Sequence, residues 1–211
     1  MAEYRTHAVV LKSSDLGEAD RLVSFYTRDY GRFDAVAIGA RRIKAKLASH
    51  LEPLTISYVE LAEKNRKIVT TAMELEHFLK IRSNFEKLEA ALVFLNRCER
   101  LLIAPERDER LWRLMLSVLH AFERVKTEHV SLIVTYATFG LITILGYAPN
   151  PAIRSRWPKA ARELHSRFIR ESLATLFKRP PQPAALAQLR LALNPLLVSL
   201  PSSRRAVATL Y

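Results

Sequence analysis

Residues 21–31 of this 211-residue chain have the sequence Arg21-Leu22-Val23-Ser24-Phe25-Tyr26-Thr27-Arg28-Asp29-Tyr30-Gly31. The first seven residues are rich in β-branched and aromatic side chains that alternate in part with polar ones, as a half-buried strand does. Gly31 supplies the positive φ that a tight turn requires, and residues 33–38 have the composition of a return strand. The segment therefore predicts a β-hairpin.

Three further extended runs flank this hairpin, at Tyr4–Leu11, Leu54–Leu61 and Lys67–Leu75. The last two are separated by Glu63-Lys64-Asn65-Arg66, which predicts a second hairpin. Five short strands with turns at this spacing favour a small closed sheet, and an OB-type barrel is the natural candidate for about 80 residues. We assign this barrel to residues 1–79.

After Leu75 the apolar residues recur every three to four positions, which is the spacing typical of helices. One predicted stripe contains Phe85, Leu88, Leu92, Leu95, Cys98 and Leu102, and a second contains Leu111, Leu114, Met115, Val118, Phe122 and Val125. Further helices are predicted over 159–177 and 184–193, with Asn194-Pro195 ending the last. The fold class is thus α+β, an N-terminal five-stranded OB-fold β-barrel followed by an all-α helical domain over residues 80–211.

Val130–Ala148 contains no charged residue and is long enough to span a bilayer. It also holds Ser131, Thr135, Thr138 and Thr143, and no other segment of the chain resembles it. These features favour the buried central helix of the helical domain, which the neighbouring stripes would cover. A membrane span is the alternative.

The composition is that of a basic, folded protein, with 33 Lys+Arg, 21 Asp+Glu and a net charge of +12. Residues 1–80 carry a net charge of +2, whereas residues 151–211 have 11 basic and 2 acidic groups. Such an excess indicates an anionic partner, either nucleic acid or an acidic protein surface. The single cysteine excludes a disulfide framework and fits the reducing cytoplasm.

Catalytic patterns are scarce in this sequence. Asp15, Glu18 and Asp20 are a candidate carboxylate cluster for a metal, but a solvated loop between strands explains them better. The six histidines show no metal-ligand spacing, and there is no glycine-rich phosphate loop. Cys98 lies on a helical apolar stripe, which favours a core role. We therefore expect no enzyme activity, no metal site and no cofactor.

Clustered cations are the sharpest local signal. Gly39-Ala40-Arg41-Arg42-Ile43-Lys44-Ala45-Lys46 places four of them directly after a predicted strand, where a loop on a rigid sheet would meet a phosphate backbone. The second hairpin adds three more, and the predicted DNA-binding residues are accordingly Arg41, Arg42, Lys44, Lys46, Lys64, Arg66 and Lys67. The alternative is an ordinary solvated charge run. Four nearby aromatics are candidates for base stacking, with core packing as their alternative: Phe25, Tyr26, Tyr30 and Phe33.

In the order of its short motifs the chain resembles the RecO family of recombination mediators in bacterial DNA repair. The matching segments are Ala8–Leu11, Gly17–Arg21, Thr27–Arg32, Gly39–Leu47, Leu51–Leu54 and Leu145–Pro149. The resemblance implies an OB-fold, a helical C-terminal domain, binding of single- and double-stranded DNA, and strand annealing. It also implies three partners: RecR, the acidic C-terminal tail of the single-stranded-DNA-binding protein (SSB) and, through them, RecA.

One segment departs from the family. Many members carry a four-cysteine zinc module just after the Leu-Gly-Tyr-x-Pro segment, whereas this chain has Asn150–Pro158 there without a cysteine. We therefore expect no zinc module and carry over no role of it.

We expect a DNA-binding protein located in the cytoplasm with the nucleoid. Two alternatives remain: a basic structural or membrane-associated protein built around Val130–Ala148, and a metal-dependent nuclease that uses Asp15, Glu18 and Asp20.

Overall fold

A computed structural model describes residues 2–42, 45, 47–103 and 105–200. The five predicted strands are confirmed, and each is longer than predicted. They are β1 Ala2–Leu16, β2 Asp20–Thr27, β3 Gly31–Ala37, β4 Thr55–Glu63 and β5 Lys67–His77. A short 3₁₀ turn, Ala48–Leu51, lies between β3 and β4.

The five strands close on one another in the order β1-β2-β3-β5-β4, and β4 pairs back to β1. All pairs are antiparallel except β3 and β5, which run parallel and share the single register pair Val36–Ile68. The predicted five-stranded OB-type sheet is therefore confirmed. It closes between β3 and β5 through this one residue pair.

Gly31 opens β3 with φ +70°, as the predicted hairpin requires. A second constraint acts on the same residue, because a Cβ atom there would overlap the backbone of Glu106. Glu106 lies beyond the barrel, in the segment that leads into the third helix. The hairpin turn is thus also a contact point between the barrel and the helical region.

Two apolar clusters organise the chain. Ala8 and Val10 point into the barrel with Val23 and Phe25. Their neighbours Val9 and Leu11 point the opposite way and join the helical core. Successive strand residues face opposite sides of a sheet, so the uninterrupted apolar run at residues 8–11 reflects a strand that is covered on both faces.

The helical region contains eight helices in the described residues. They are α1 Leu79–Arg82, α2 Phe85–Leu101, α3 Glu109–Arg124, α4 Val130–Ile144, α5 Pro151–Ser155, α6 Lys159–Arg170, α7 Leu173–Lys178 and α8 Pro183–Ser199. The predicted stripe on α3 is buried up to Phe122. On α2 the stripe was partly wrong, since Phe85 is 80% exposed. The buried face runs instead through Ala91, Phe94, Leu95 and Cys98, because α2 packs against both α4 and β1.

Two predicted helix boundaries in the last quarter were wrong. The helix predicted over 159–177 is divided into α6 and α7, since Ser172 caps a new helix by accepting a hydrogen bond from the Thr175 amide (3.3 Å). The last helix passes through Pro195 and continues to Ser199. Proline removes one backbone hydrogen bond there, while Leu193 and Leu197 on either side keep the segment packed on the core.

The uncharged helix is the buried centre of the helical region, as predicted. α4 packs against α2, α3 and α8, and its Leu132, Ile133 and Leu141 are buried. Residues 127–144 are long and apolar enough to cross a membrane by length and composition, but half of that window is buried inside the protein. A core helix accounts for both observations.

A candidate nucleic-acid interface

The turn after β3 is fastened to the turn between β1 and β2. The Arg41 amide donates to the Ala19 carbonyl at 2.9 Å, and the Gly39 amide donates to Asp20 Oδ1 at 2.8 Å. Gly39 has φ +67°, a conformation that glycine adopts at little cost. These two bonds hold the start of the basic loop against the barrel.

Arg41 and Arg42, although adjacent, have different surroundings. Arg41 Nη1 donates to the Gly17 carbonyl at 2.6 Å, and Nη2 lies 3.2 Å from Asp15 Oδ2. Arg42 is exposed and has no ion pair within the described part of the chain. Arg41 therefore braces the two turns, and the side chain of Arg42 is available to a ligand.

The far end of the basic loop is fastened as well. Arg21 Nη1 lies 2.6 Å from Glu52 Oε1, and Arg21 Nε lies 3.8 Å from Asp15 Oδ1. Arg21 therefore ties the segment before β4 to the same turns that Arg41 holds. The predicted site residues Lys44 and Lys46 lie outside the described residues.

The turn between β4 and β5 separates its three cations in a similar way. Lys64 and Arg66 are exposed, and neither has an ion pair to any residue that the structure describes. Lys67 Nζ instead lies 2.9 Å from Glu63 Oε1 and 4.8 Å from the centre of the Phe33 ring. Hydrogen bonds from Tyr4 and Lys67 lower the pKa of Glu63, which keeps that carboxylate charged beside Lys67.

The aromatic residues of the barrel serve mainly in packing. Phe25 and Tyr26 are buried, and the Tyr26 hydroxyl accepts from the Asp108 amide (3.0 Å) and donates to the Asp108 carbonyl (3.2 Å). Tyr30 is half-buried and stacks on Phe33, with ring centres 5.7 Å apart. Core packing is thus confirmed for Phe25 and Tyr26, which offer no face to a base.

The candidate carboxylate cluster does not converge on one point. Asp15 faces Arg41 and Arg21, whereas Asp20 accepts from the Gly39 amide. Within residues 2–42, 45, 47–103 and 105–200, no three His, Cys, Asp or Glu side chains are grouped so that they could hold a metal. Cys98 is fully buried, and burial raises the pKa of its thiol, which is typical of an inert core cysteine.

A pocket of about 440 Å³ lies between α2 and the end of α8. It is lined by Arg97, Arg100, Leu101, Asn194, Leu197, Val198 and Leu200. Arg97 Nη1 donates to Thr138 Oγ1 at 2.7 Å, and burial lowers the pKa of Arg97. Arg100 is exposed at the rim. No local pattern indicates this pocket, because its two walls are almost 100 residues apart in sequence.

Known proteins are similar to this chain over about 70% of its length. Residues 1–77 match the family model described as "Recombination protein O N terminal". The chain is 34% identical over 148 residues to the DNA repair protein RecO of Roseiflexus sp. (strain RS-1), which covers 70% of this chain and 51% of that protein. It is 36% identical over 151 residues to the DNA repair protein RecO of Nocardioides sp. (strain ATCC BAA-499 / JS614), covering 70% of this chain and 61% of the relative.

A third relative, the DNA repair protein RecO of Rubrobacter xylanophilus, is 32% identical over 153 residues, covering 71% of this chain and 60% of that protein. The chain thus spans between half and three fifths of the length of the relatives it matches. The predicted resemblance is confirmed by these matches.

Proposed function

We propose that this chain, a relative of the RecO recombination proteins, acts in DNA repair and recombination by binding single- and double-stranded DNA without bond chemistry. The observation that carries the proposal is the set of exposed, unpaired cations on two turns of a braced barrel: Arg42, Lys64 and Arg66. A cytoplasmic location with the nucleoid fits this role.

Phosphate contacts of this kind provide affinity by releasing the counterions condensed on DNA. They carry little sequence information, which suits a protein that must act on any sequence. Two strands neutralised on one basic surface repel each other less, which favours annealing. The contacts of Arg41 and Arg21 support this function, since turns that are already held in place lose less conformational entropy on binding.

We further propose that the pocket between α2 and α8 holds the acidic C-terminal tail of SSB. The pocket combines arginines with leucines, and an acidic peptide with apolar side chains matches both. Recruitment to SSB-coated DNA, with RecR as a second partner, would then allow RecA to load.

The test of DNA binding is the triple variant Arg42→Ala/Lys64→Ala/Arg66→Ala. Each phosphate contact contributes ~0.7 to the slope of log affinity against log salt on single strands, so the slope should shrink by ~2. Affinity should fall about equally for different sequences, as measured by fluorescence anisotropy with labelled oligonucleotides. Annealing of complementary strands should fall with it.

The matched control is Arg107→Ala/Arg110→Ala/Arg113→Ala. It removes the same charge from exposed arginines that are paired with Asp108 or Glu109. The control should keep the wild-type salt slope. Equal slopes for the triple variant and the wild type, with both proteins folded, would exclude these turns as the DNA surface.

The test of the SSB tail uses a labelled peptide of that tail and the variant Arg100→Gln. Loss of this exposed charge should weaken binding of the peptide by ~10-fold or more, since a charged hydrogen bond contributes about 1.5 kcal/mol or more. Arg113→Gln is the control, because it removes an equally exposed charge outside the pocket. Equal peptide affinity for both variants would place the tail elsewhere.

A further inference from the structure

A second pocket, of about 290 Å³, lies between α5 and α6. It is lined by Pro151, Arg154, Ser155, Arg162, His165 and Ser166. The lining contains two arginines, one histidine and no acidic residue. The pocket occupies the region after Gly146, far in sequence from the barrel turns.

The basic side chains of this pocket are unpaired. Arg154 Nε is buried and has no hydrogen-bond partner in the described part of the chain. Two other arginines also have a buried, unpaired Nε, but Arg32 and Arg82 use their remaining nitrogens to donate to backbone carbonyls. Arg154 and Arg162 have no side-chain hydrogen bond or ion pair to any residue that the structure describes. Both side chains line the pocket, where their guanidinium groups can donate to an anion.

The acidic residues of the same segment form ion pairs with cations outside the pocket lining. Residues 151–211 contain two of them, and Glu163 lies 3.9 Å from Lys159 while Glu171 lies 2.9 Å from Arg167. The positive charge at the pocket is thus not neutralised from within its own segment.

His165 is held in a fixed position at the base of the pocket. Its ring packs edge-on against Phe139 at 5.1 Å and Trp157 at 5.6 Å, and the residue is 3% exposed. Burial lowers the pKa of His165, and the positive charge of Arg154 lowers it further. The His165 ring and the Arg154 side chain both line this pocket.

We infer that this pocket binds a phosphate group of nucleic acid, held by Arg154, Arg162 and His165. Guanidinium groups bind phosphate through paired N–H donors, and they are the preferred partners of that anion. The inference extends the proposed function, since it adds a second surface for DNA on the helical region.

The surroundings of the pocket favour a polyanion over an acidic peptide. Arg162, Ser166 and Arg170 follow one another at intervals of four residues, so they share one face of α6 and span ~12 Å. Along the axis of a DNA duplex, this length spans three to four phosphates of one strand, which rise by ~3.4 Å each. Arg156 and Lys159 are exposed beside them. Apart from Pro151, the lining offers no apolar surface for a peptide side chain.

The first experiment titrates the wild-type chain with inorganic phosphate and follows the imidazole NMR signals of His165. Phosphate should shift these signals at millimolar or lower concentration, and chloride at equal ionic strength should not. Because this measurement uses the wild-type protein, its result does not depend on whether a variant folds. Signals that respond equally to both salts would overturn the inference.

The second experiment measures single-stranded DNA binding by Arg154→Gln/Arg162→Gln and by Arg162→Gln alone, which alters an exposed side chain. The salt slope should shrink by ~1.4 and ~0.7 respectively, while Arg107→Gln/Arg113→Gln keeps the wild-type slope. If phosphate shifts the His165 signals but both variants keep the wild-type salt slope for DNA, the pocket binds an adventitious ion only, and the inference is overturned. A His165 shift with a polyglutamate peptide and none with DNA would also overturn the inference.

The barrel variant Arg42→Ala/Lys64→Ala/Arg66→Ala separates this inference from the proposed function. Its His165 signals should still respond to phosphate as in the wild type. If the barrel variant keeps the wild-type salt slope for DNA while Arg154→Gln/Arg162→Gln reduces it, the proposal for the barrel turns fails and the inference about the pocket is supported. The reverse result overturns the pocket alone.

Discussion

The barrel and the α5–α6 segment use their positive charge in opposite ways. Residues 1–80 carry 13 basic and 11 acidic groups, and the folding of the barrel and its turns brings several of them into ion pairs, as at Arg21, Arg41 and Lys67. Residues 151–211 carry 11 basic and 2 acidic groups, and among the described residues of this segment only Lys159 and Arg167 each form an ion pair. The number of cations thus says little about how many are free, which depends on the acids that the fold places beside them.

The barrel and the helical region also differ in how they are packed. The barrel interior is a separate apolar cluster, whereas its outer face contributes Val9, Leu11 and Tyr26 to the core of the helical region. The helical region therefore depends on the barrel for part of its core. Three pairs of substitutions test how firmly each region is held.

The largest effect is expected for Gly140→Arg in α4. A Cβ atom there would already lie 2.9 Å from Leu114 Cδ1, and the longer side chain would bring a charge into an apolar contact. The free energy of unfolding should fall by ~3 kcal/mol or more. Ser131→Arg, on an exposed position of the same helix, should change it by less than ~0.5 kcal/mol. Urea denaturation measures both, and equal stability of the two variants would show that α4 is not packed at Gly140.

A smaller effect is expected where the barrel meets the helical region. Gly31→Ala and Gly17→Ala both place an alanine at positive φ, at +70° and +63°, and this costs ~1–2 kcal/mol. A Cβ at Gly17 meets nothing within 4 Å, whereas one at Gly31 overlaps the Glu106 backbone. Gly31→Ala should therefore lose ~1 kcal/mol or more beyond Gly17→Ala in thermal or urea unfolding. Similar losses would mean that the Glu106 segment moves aside without cost.

The smallest effects distinguish two neighbouring arginines. Arg41→Ala removes the bond to Gly17 and the ion pair with Asp15, so it should destabilise the protein by ~1 kcal/mol. Arg42→Ala should leave stability within ~0.5 kcal/mol and reduce the DNA salt slope by ~0.7. Paired urea and anisotropy measurements on both variants check this division. A larger loss of salt slope in Arg41→Ala than in Arg42→Ala would reverse the assigned roles.

Much of the fold could be predicted from the sequence, because its signals are local. Alternating strand patterns, the turn at Gly31 and the uncharged helix predicted a barrel, a helical region and its buried centre. Boundaries were less predictable where a local signal competes with packing. Ser172 divides a continuous apolar stripe, and Pro195 is carried inside α8 because the surrounding leucines are buried.

The candidate site could be predicted only in part. The sequence identified seven cations on two turns, and the structure describes five of them. It also shows that Arg41 and Lys67 have protein partners, while Arg42, Lys64 and Arg66 do not. The acidic partner of Arg41 lies 26 residues away along the chain, so no local pattern reveals the pair.

The sequence by itself determined the order of the five strands and of the long helices, the placement of charge along the chain and the resemblance to the RecO family. These properties depend on residues close together in the chain. The tertiary structure alone decided which cations are free, why Gly31 meets Glu106, and that Arg154, Arg162 and His165 converge on one pocket. These features depend on contacts between separate turns and helices, which only the packed chain brings together.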